Sequence, residues 1–513
     1  MTRTKSSLVN SVAGAVSYLV LMLSNFIVRA KFVETLGENV LGLNALFTNI
    51  ISMLALAELG LGTGLIYKLY KPVADHDVPR IQTLLRFYKR AYMIIGGVIL
   101  TAGFALSFFV FLFDKSRVFS REYVGMTFFL FVLDVLASYL FAHQKALITA
   151  DQKNYIINLI HAGAQIATCA LQILLLTATK SFVLYILAKI VCRVGEGLVI
   201  HRQYRRLYPD IRLRDCRPID REERRDLFHN INAMLYHRIG SFSLSSTSNL
   251  IITYFVNLVT VGIYSNYTLI TNTINNLIAQ MFQGVTASFG DLIHTEKTEK
   301  AIDRFNILYF VNFLLISFCS TSLLVLMEPF IALWLGPRFV LGRETLLLIL
   351  LYFYIYGMRR VIFMARDSAG LYRPDRYMPL LETAINLGLS IALVGPFGVN
   401  GVLIANLISM LVIPFWIQPL IVYRYILRRP VRQYFLRYGI YAAAALIGAG
   451  ITFALCSCLP EGLGRWPDLI LRGVLCILVP NALNLILFWR TPECRSVRCL
   501  LLSLVRSWRA ARR

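Results

Sequence analysis

A chain of 513 residues that is 57% hydrophobic and 16% charged, with mean hydropathy +0.63, has far more apolar surface than a soluble globule can bury. It reads as an integral membrane protein. The net charge of +24 does not point to nucleic acid, because the basic residues stand in short segments between apolar runs, where they report topology and contact with anionic lipid.

Apolar segments of helical length fall at residues 8–33, 41–69, 91–113, 123–148, 155–178, 182–203, 233–257, 262–290, 305–327, 345–366, 378–395, 400–427, 435–458 and 469–489. The fold class is therefore all-α and polytopic, with about fourteen transmembrane helices. The first apolar run reaches Val33, too long for a signal-peptide core, so it is expected to remain as a span. With the amino terminus inside, inner segments hold about 39 Lys and Arg and outer ones about 10, the asymmetry expected when both termini are cytoplasmic.

Residues 1–203 form an expected N-terminal lobe of six spans. Residues 204–232 are a cytoplasmic linker, and 233–427 a second lobe of six. Residues 428–513 carry two further spans and a basic tail. Nine Lys or Arg crowd Arg202–Arg225, and PIDREERRDLFHNI within the linker reads as a surface helix. Val78–Tyr92 (VPRIQTLLRFYKRAY) reads as another helix lying along the headgroups. Sliding the chain by 220 positions lays LGLNALFTNI (Leu41–Ile50) on VGIYSNYTLI (Val261–Ile270), matching Gly42 with Gly262 and Thr48 with Thr268. The two halves then form a parallel repeat about an axis along the membrane normal.

In the first span, Arg29 lies roughly in line with Asn25 and Ser17. In the second, Glu58 shares a broad face with Asn44, Thr48 and Ser52, while Gly60, Gly62 and Gly64 permit close helix approach or a bend. Glu58 is either a functional intramembrane carboxylate or the partner of a cation on another helix. Asp134 in the fourth span has Lys145 and Lys189 as conceivable partners. Lys189 and Arg193, four apart, share a face of the sixth span, with Glu196 three residues beyond. His143, His161 and His237 read as neutral hydrogen-bonded side chains or as proton carriers. Arg238 lies near the inner end of the seventh span; it and Arg29 either face a cavity or snorkel to headgroups.

The eighth span, Gly262–Asp291, is the most polar. It carries six amides, Asn266, Asn272, Asn275, Asn276, Gln280 and Gln283, with Ser265, Thr268, Thr271 and Thr273 between them. An unpaired amide in hydrocarbon costs about 4–8 kcal/mol, so these side chains must meet other helices or water. Helix-packing glue accounts for two or three amides; six favour a hydrated substrate path. Arg359 and Arg360, at the end of the tenth apolar run, read as loop anchors.

No G-x-x-x-x-G-K-[ST] loop and no Cys/His cluster with metal spacing is present, so no cofactor is implied. A membrane glycosyltransferase would need acids outside. Glu34 and Glu38 stand in a first outer loop that is too short to enclose two substrates, so no enzyme is expected. Cations with amides suit a phosphate-bearing, hydroxyl-rich cargo: guanidinium and ammonium groups hold phosphate, and amides replace water around sugars.

Phe32–Asp77 (FVETLGENVLGLNALFTNIISMLALAELGLGTGLIYKLYKPVADHD) resembles the start of the Wzx-type oligosaccharide flippases, in the polysaccharide-transport branch of the multidrug/oligosaccharidyl-lipid/polysaccharide flippase superfamily. Val261–Leu292 resembles the same family's second half. The resemblance implies a two-lobed carrier of undecaprenyl-diphosphate-linked oligosaccharide in the bacterial cytoplasmic membrane, working beside a polysaccharide polymerase and assembly proteins in capsule or exopolysaccharide synthesis. In related lipid II flippases, arginines in a central cavity contact the diphosphate. Arg29 is the candidate equivalent here and Arg238 a second. Many relatives carry an acidic residue just before the Asn of the seventh span, where this chain has Ser248–Asn249.

The expected substrate-binding set is Arg29, Asn25, Asn44, Glu58, Lys189, Arg193, Arg238, Asn266, Asn272, Asn276 and Gln280. A drug or organic-cation efflux carrier of the same superfamily is the alternative, and its site should be acidic and aromatic. The charge asymmetry predicts cytoplasmic termini: a fluorescent protein fused after Arg513 should mature and emit, and an alkaline phosphatase fused there should stay inactive. The reverse pair of readings would overturn the orientation.

Overall fold

The computed structural model describes residues 3–55, 61–113, 118–211, 213, 247–296, 298–371, 374–375, 377–460 and 464–499, and among them there is no β-strand. Glu58, Arg238, His237 and most of the 204–232 linker lie outside the described residues. Among the described residues nine stretches are long and apolar enough to cross a membrane, so the chain is a multi-pass, all-α membrane protein.

The chain divides into two compact units, Met1–Ile263 and Tyr264–Arg513. In the first, α1 (Arg3–Leu54) carries the first two expected spans in one element bent at Gly37, whose φ of 78° places it in the left-handed region. The second expected span then continues as α2 (Leu61–Ala74). Helix α3 (Val78–Ser107) begins at Asp77, whose carboxylate accepts from Arg80 N at 3.0 Å. It runs unbroken through the segment expected to lie along the headgroups. Ile81, Leu84, Leu85, Tyr88 and Tyr92 are buried, and Tyr92 meets the Tyr139 ring at 5.4 Å. The alternation of apolar and basic blocks is therefore one packed face and one exposed face of a longer helix.

Helix α4 (Arg121–Tyr139) is followed after a break by α5 (Ala142–Ala150), then α6 (Asn154–Thr179) and α7 (Phe182–Leu207). Helix α6 packs along α1 and α7, and α4 packs on α3 and α7. Aromatic rings fill the seams: Phe47 of α1 meets Phe128 and Phe131 of α4 at 5.4 and 5.3 Å. Residues 247–255 are also helical, and Asn249 Nδ2 donates to Asn49 Oδ1 at 3.0 Å.

Helix α8 (Leu258–Thr295) leads into the second unit. There α9 (Thr298–Trp334) is the central post, packed by α10 (Arg343–Met358), α14 (Arg432–Ser457) and α15 (Arg465–Phe488). Helix α10 stops at Met358 and α11 (Arg360–Ser368) restarts at once, so the tenth expected span is two helices with Arg359 at the joint. Asn312 of α9 caps that joint, its amide lying 3.1 Å from Gly357 O and 3.4 Å from Met358 O. Carbonyls freed by a helix break in the apolar layer need such a donor. Helix α12 (Met378–Val412) spans the eleventh and twelfth expected segments with a bend at Gly398, φ 55°. It continues through α13 (Pro414–Ile421) and a π-helical turn, Val422–Leu427. Ile94, Leu446 and Ile486 point outward at 68%, 74% and 75% exposure, as lipid-facing residues do.

Gly42 and Gly262, paired by the internal repeat, sit against each other: a Cβ on Gly262 would stand 2.8 Å from Gly42 N, and one on Gly42 would overlap Leu258 O. Backbone cannot give way as a side-chain tip can. Gly42→Ala should therefore lower the thermal midpoint through about 1–3 kcal/mol of overpacking. Gly163→Ala, which meets nothing within 4 Å, should not. Equal midpoints for the two variants would refute the close approach.

Candidate functional site

In the first unit, α7 presents Tyr185, Lys189, Arg193 and Glu196 at helical spacing. Asp134 of α4 is 5% exposed and faces two of them: Lys189 Nζ lies 3.0 Å from Oδ2, and Arg193 bonds through Nε to Oδ1 and through Nη2 to Oδ2 at 3.3 Å. One carboxylate against two half-exposed cations leaves one positive charge in excess. Farther along α7, the buried Glu196 carboxylate receives Lys145 Nζ at 2.8 Å and His161 Nδ1 at 3.3 Å. Lys145, a conceivable partner of Asp134, thus pairs with Glu196 instead, because α5 is a separate helix beyond the α4 break.

Arg29 joins this neighbourhood. It and Asp134 both act electrostatically on Tyr185, whose ring lies 4.9 Å from that of Phe32, one turn beyond Arg29. Lys189 and Arg193 share one acid, and Arg29 stands near Tyr185 on the same face of α7. Asn25 is exposed one turn before Arg29, and Asn44 is half-buried, its backbone carbonyl accepting from Thr48 Oγ1 at 2.7 Å.

In the second unit, α8 is amphipathic in an unusual sense. Ile278, Phe282 and Phe289 enter the core with Phe305, Tyr309 and Phe313 of α9. On the other side Asn272, Asn276, Gln280 and Gln283 are all exposed. These four follow one another at three- and four-residue steps, so they form one continuous amide stripe. Asn266 parts company with them and is fully buried, near the point where Tyr267 Oη accepts from Leu341 N at 2.8 Å.

Arg359 was missed by the sequence reading. Far from anchoring a loop, it is 3% exposed, with Nη2 2.6 Å from Gln418 Oε1 of α13 and its guanidinium 5.0 Å from the Phe363 ring. The apolar Val361–Met364 run that follows the arginine doublet was the available sign that the span continues. Among the described residues no three His, Cys, Asp or Glu side chains gather as a metal site requires.

The arrangement defines a polytopic helical membrane protein with cations and amides set within its spans, and its fold is shared with solved membrane transporters. The structure of the lipid II flippase MurJ, inward closed, superposes with a TM-score of 0.67 at 12% identity, covering 94% of this chain and 99% of that one. An inward-facing multidrug resistance MATE family transporter of the MOP superfamily gives 0.62 at 15% identity, with 80% and 98% covered. The MATE multidrug transporter DinF-BH gives 0.58 at 12%, with 83% and 96% covered. No family model matches the sequence, and no curated protein does.

Removing the acid from the α4–α7 cluster should be more damaging than its charge count suggests. Asp134→Asn strands Lys189 and Arg193, a loss towards the lower end of about 3–5 kcal/mol because both cations are partly solvated. Adding Arg193→Gln should recover part of the thermal midpoint. Strictly additive losses in the double variant would show that the two residues do not interact.

Proposed function

We propose that this protein flips an undecaprenyl-diphosphate-linked oligosaccharide repeat unit from the inner to the outer leaflet of the bacterial cytoplasmic membrane by alternating access, supplying capsule or exopolysaccharide synthesis. The observation that carries the reading is the amide stripe of α8: Asn272, Asn276, Gln280 and Gln283 are exposed on a helix whose opposite face is core. Four amides facing hydrocarbon would be prohibitively costly, whereas four amides facing a wet passage are ready partners for sugar hydroxyls. The cations grouped around Asp134 and Tyr185 fit the other end of the cargo. Arg29 holds the diphosphate, and Lys189 and Arg193 supply the surplus positive charge of their cluster. Glu58 and Arg238 remain in the proposed set from their places in the second and seventh spans, with Asn25 and Asn44 as further polar lining, while the buried Asn266 drops out of it.

In this reading the polyprenyl tail stays in lipid while the polar head crosses the membrane, and residues 1–203 and 233–427 are the two proposed lobes. The 204–232 linker joins them on the cytoplasmic side, and the extra spans of 428–513 stand outside the duplicated core. Both termini are cytoplasmic, and a polymerase with its assembly proteins takes up the cargo outside. The fold likeness to a lipid II flippase supports a lipid-linked cargo. The multidrug transporters with the same fold favour a second reading, efflux of an organic cation. The two separate on charge: a cationic amide-lined path repels the second cargo and attracts the first.

In a strain lacking the chain, lipid-linked repeat units should accumulate on the inner leaflet, and wild-type protein should clear them. Arg29→Ala and the triple change Asn272→Leu, Asn276→Leu, Gln280→Leu should each cut clearance at least about tenfold, the loss of one charge-assisted contact or a few neutral ones. Unchanged clearance and unchanged surface polysaccharide in both variants would overturn the reading.

A further inference from the structure

We infer that Arg360 is an anion-binding residue of the second unit, placed to take a phosphate of the cargo beside the amide stripe of α8. The inference rests on the flippase reading above and adds to it a cation that the sequence had assigned to a loop.

The break between α10 and α11 turns two consecutive arginines in different directions. Arg359 points inward, where it is buried against Gln418. Arg360 points to α8 and stays partly exposed. Its Nη2 lies 3.5 Å from the backbone carbonyl of Asn275, the long edge of hydrogen bonding. Its Nε is buried without a hydrogen-bond partner, and the Tyr356 ring lies 5.8 Å from the guanidinium carbon. Among the described residues no carboxylate comes within 4 Å of it.

Among the described residues of this unit Arg359 and Arg498 also lack a carboxylate, but each has a short neutral acceptor, Gln418 Oε1 at 2.6 Å and Trp489 O at 3.1 Å, and the remaining half-buried cations are ion-paired. Arg366 is paired with Asp367 and Asp375, Arg437 with Glu493, and Arg472 with Asp468. Arg360 is also well inside its span, eight residues before the end of α11 at Ser368, or about 12 Å at helical rise. At that depth an arginine with one long neutral contact is costly to keep, and an intramembrane charge of this kind marks a ligand path. A guanidinium with unused donors presents the planar fork that phosphate oxygens accept two at a time. Its neighbour on α8 is the turn that carries Asn272 and Asn276, so phosphate and sugar contacts lie side by side.

The probe is geranylgeranyl diphosphate, titrated against the full-length protein in detergent, with geranylgeraniol as the uncharged control and phosphatidylglycerol as the competing headgroup. Wild-type protein should bind the diphosphate at least about tenfold more tightly than the alcohol, with equimolar phosphatidylglycerol leaving that ratio intact. Arg360→Gln should remove most of the preference and Arg360→Lys should keep part of it. Asn276→Asp puts a negative charge on the exposed stripe without repacking, and should weaken diphosphate binding while leaving the alcohol unaffected. If Arg360→Gln does not fold, that second variant decides.

A wild-type preference that survives in both Arg360→Gln and Asn276→Asp overturns the role of Arg360 and leaves the flippase reading standing. A wild-type protein that binds diphosphate and alcohol alike overturns the flippase reading itself. Complete displacement by equimolar phosphatidylglycerol makes Arg360 a headgroup contact and overturns its assignment to cargo.

Discussion

Hydrocarbon offers no hydrogen bonds, and most of this structure follows from how the polar groups within its spans answer that constraint. Each has three options: a partner on another helix, a broken helix end to cap, or a wet surface. Asp134 takes the first, held by Lys189 and Arg193. Asn312 takes the second, capping the carbonyls left open where α10 stops. Asn272, Asn276, Gln280 and Gln283 of α8 are exposed instead.

These answers differ in what they leave available. A paired charge stabilises one arrangement of helices and has little attraction left for a ligand. The α4–α7 cluster is intermediate, since two cations share one acid and both are half-exposed. That imbalance gives the first unit a net positive site without an isolated charge. The second unit keeps its stabilising polarity in the core, in Arg359 with Gln418 and in Asn312, and shows neutral amides on the far face of α8.

Close backbone approach is the counterpart of this polarity. Without a hydrophobic drive between helices in lipid, packing depends on dispersion and on small residues at the seams. Gly42 against Gly262, Gly103 against Val132 and Gly357 against Ile316 are such seams. The last lies beside the α10–α11 joint, where Asn312 and Arg359 also converge, so shape and hydrogen bonding hold the same break in place.

Membrane class, the all-helical fold and the polarity of the eighth span were all legible in residue order, because hydropathy and a 3.6-residue period are local properties. The pairing of Lys189 with Asp134 was among the partners that spacing suggested. Residue order did not say which face of a helix would be buried, and there the expectations failed. Asn266 left the stripe, Val78–Tyr92 became the start of a span, and Arg359 became core. The last two were decided by neighbours far away in sequence: Tyr139 beside Tyr92, and Gln418 opposite Arg359. A span announces itself through its own composition, but the partner that satisfies a buried polar group is chosen only when separate helices meet.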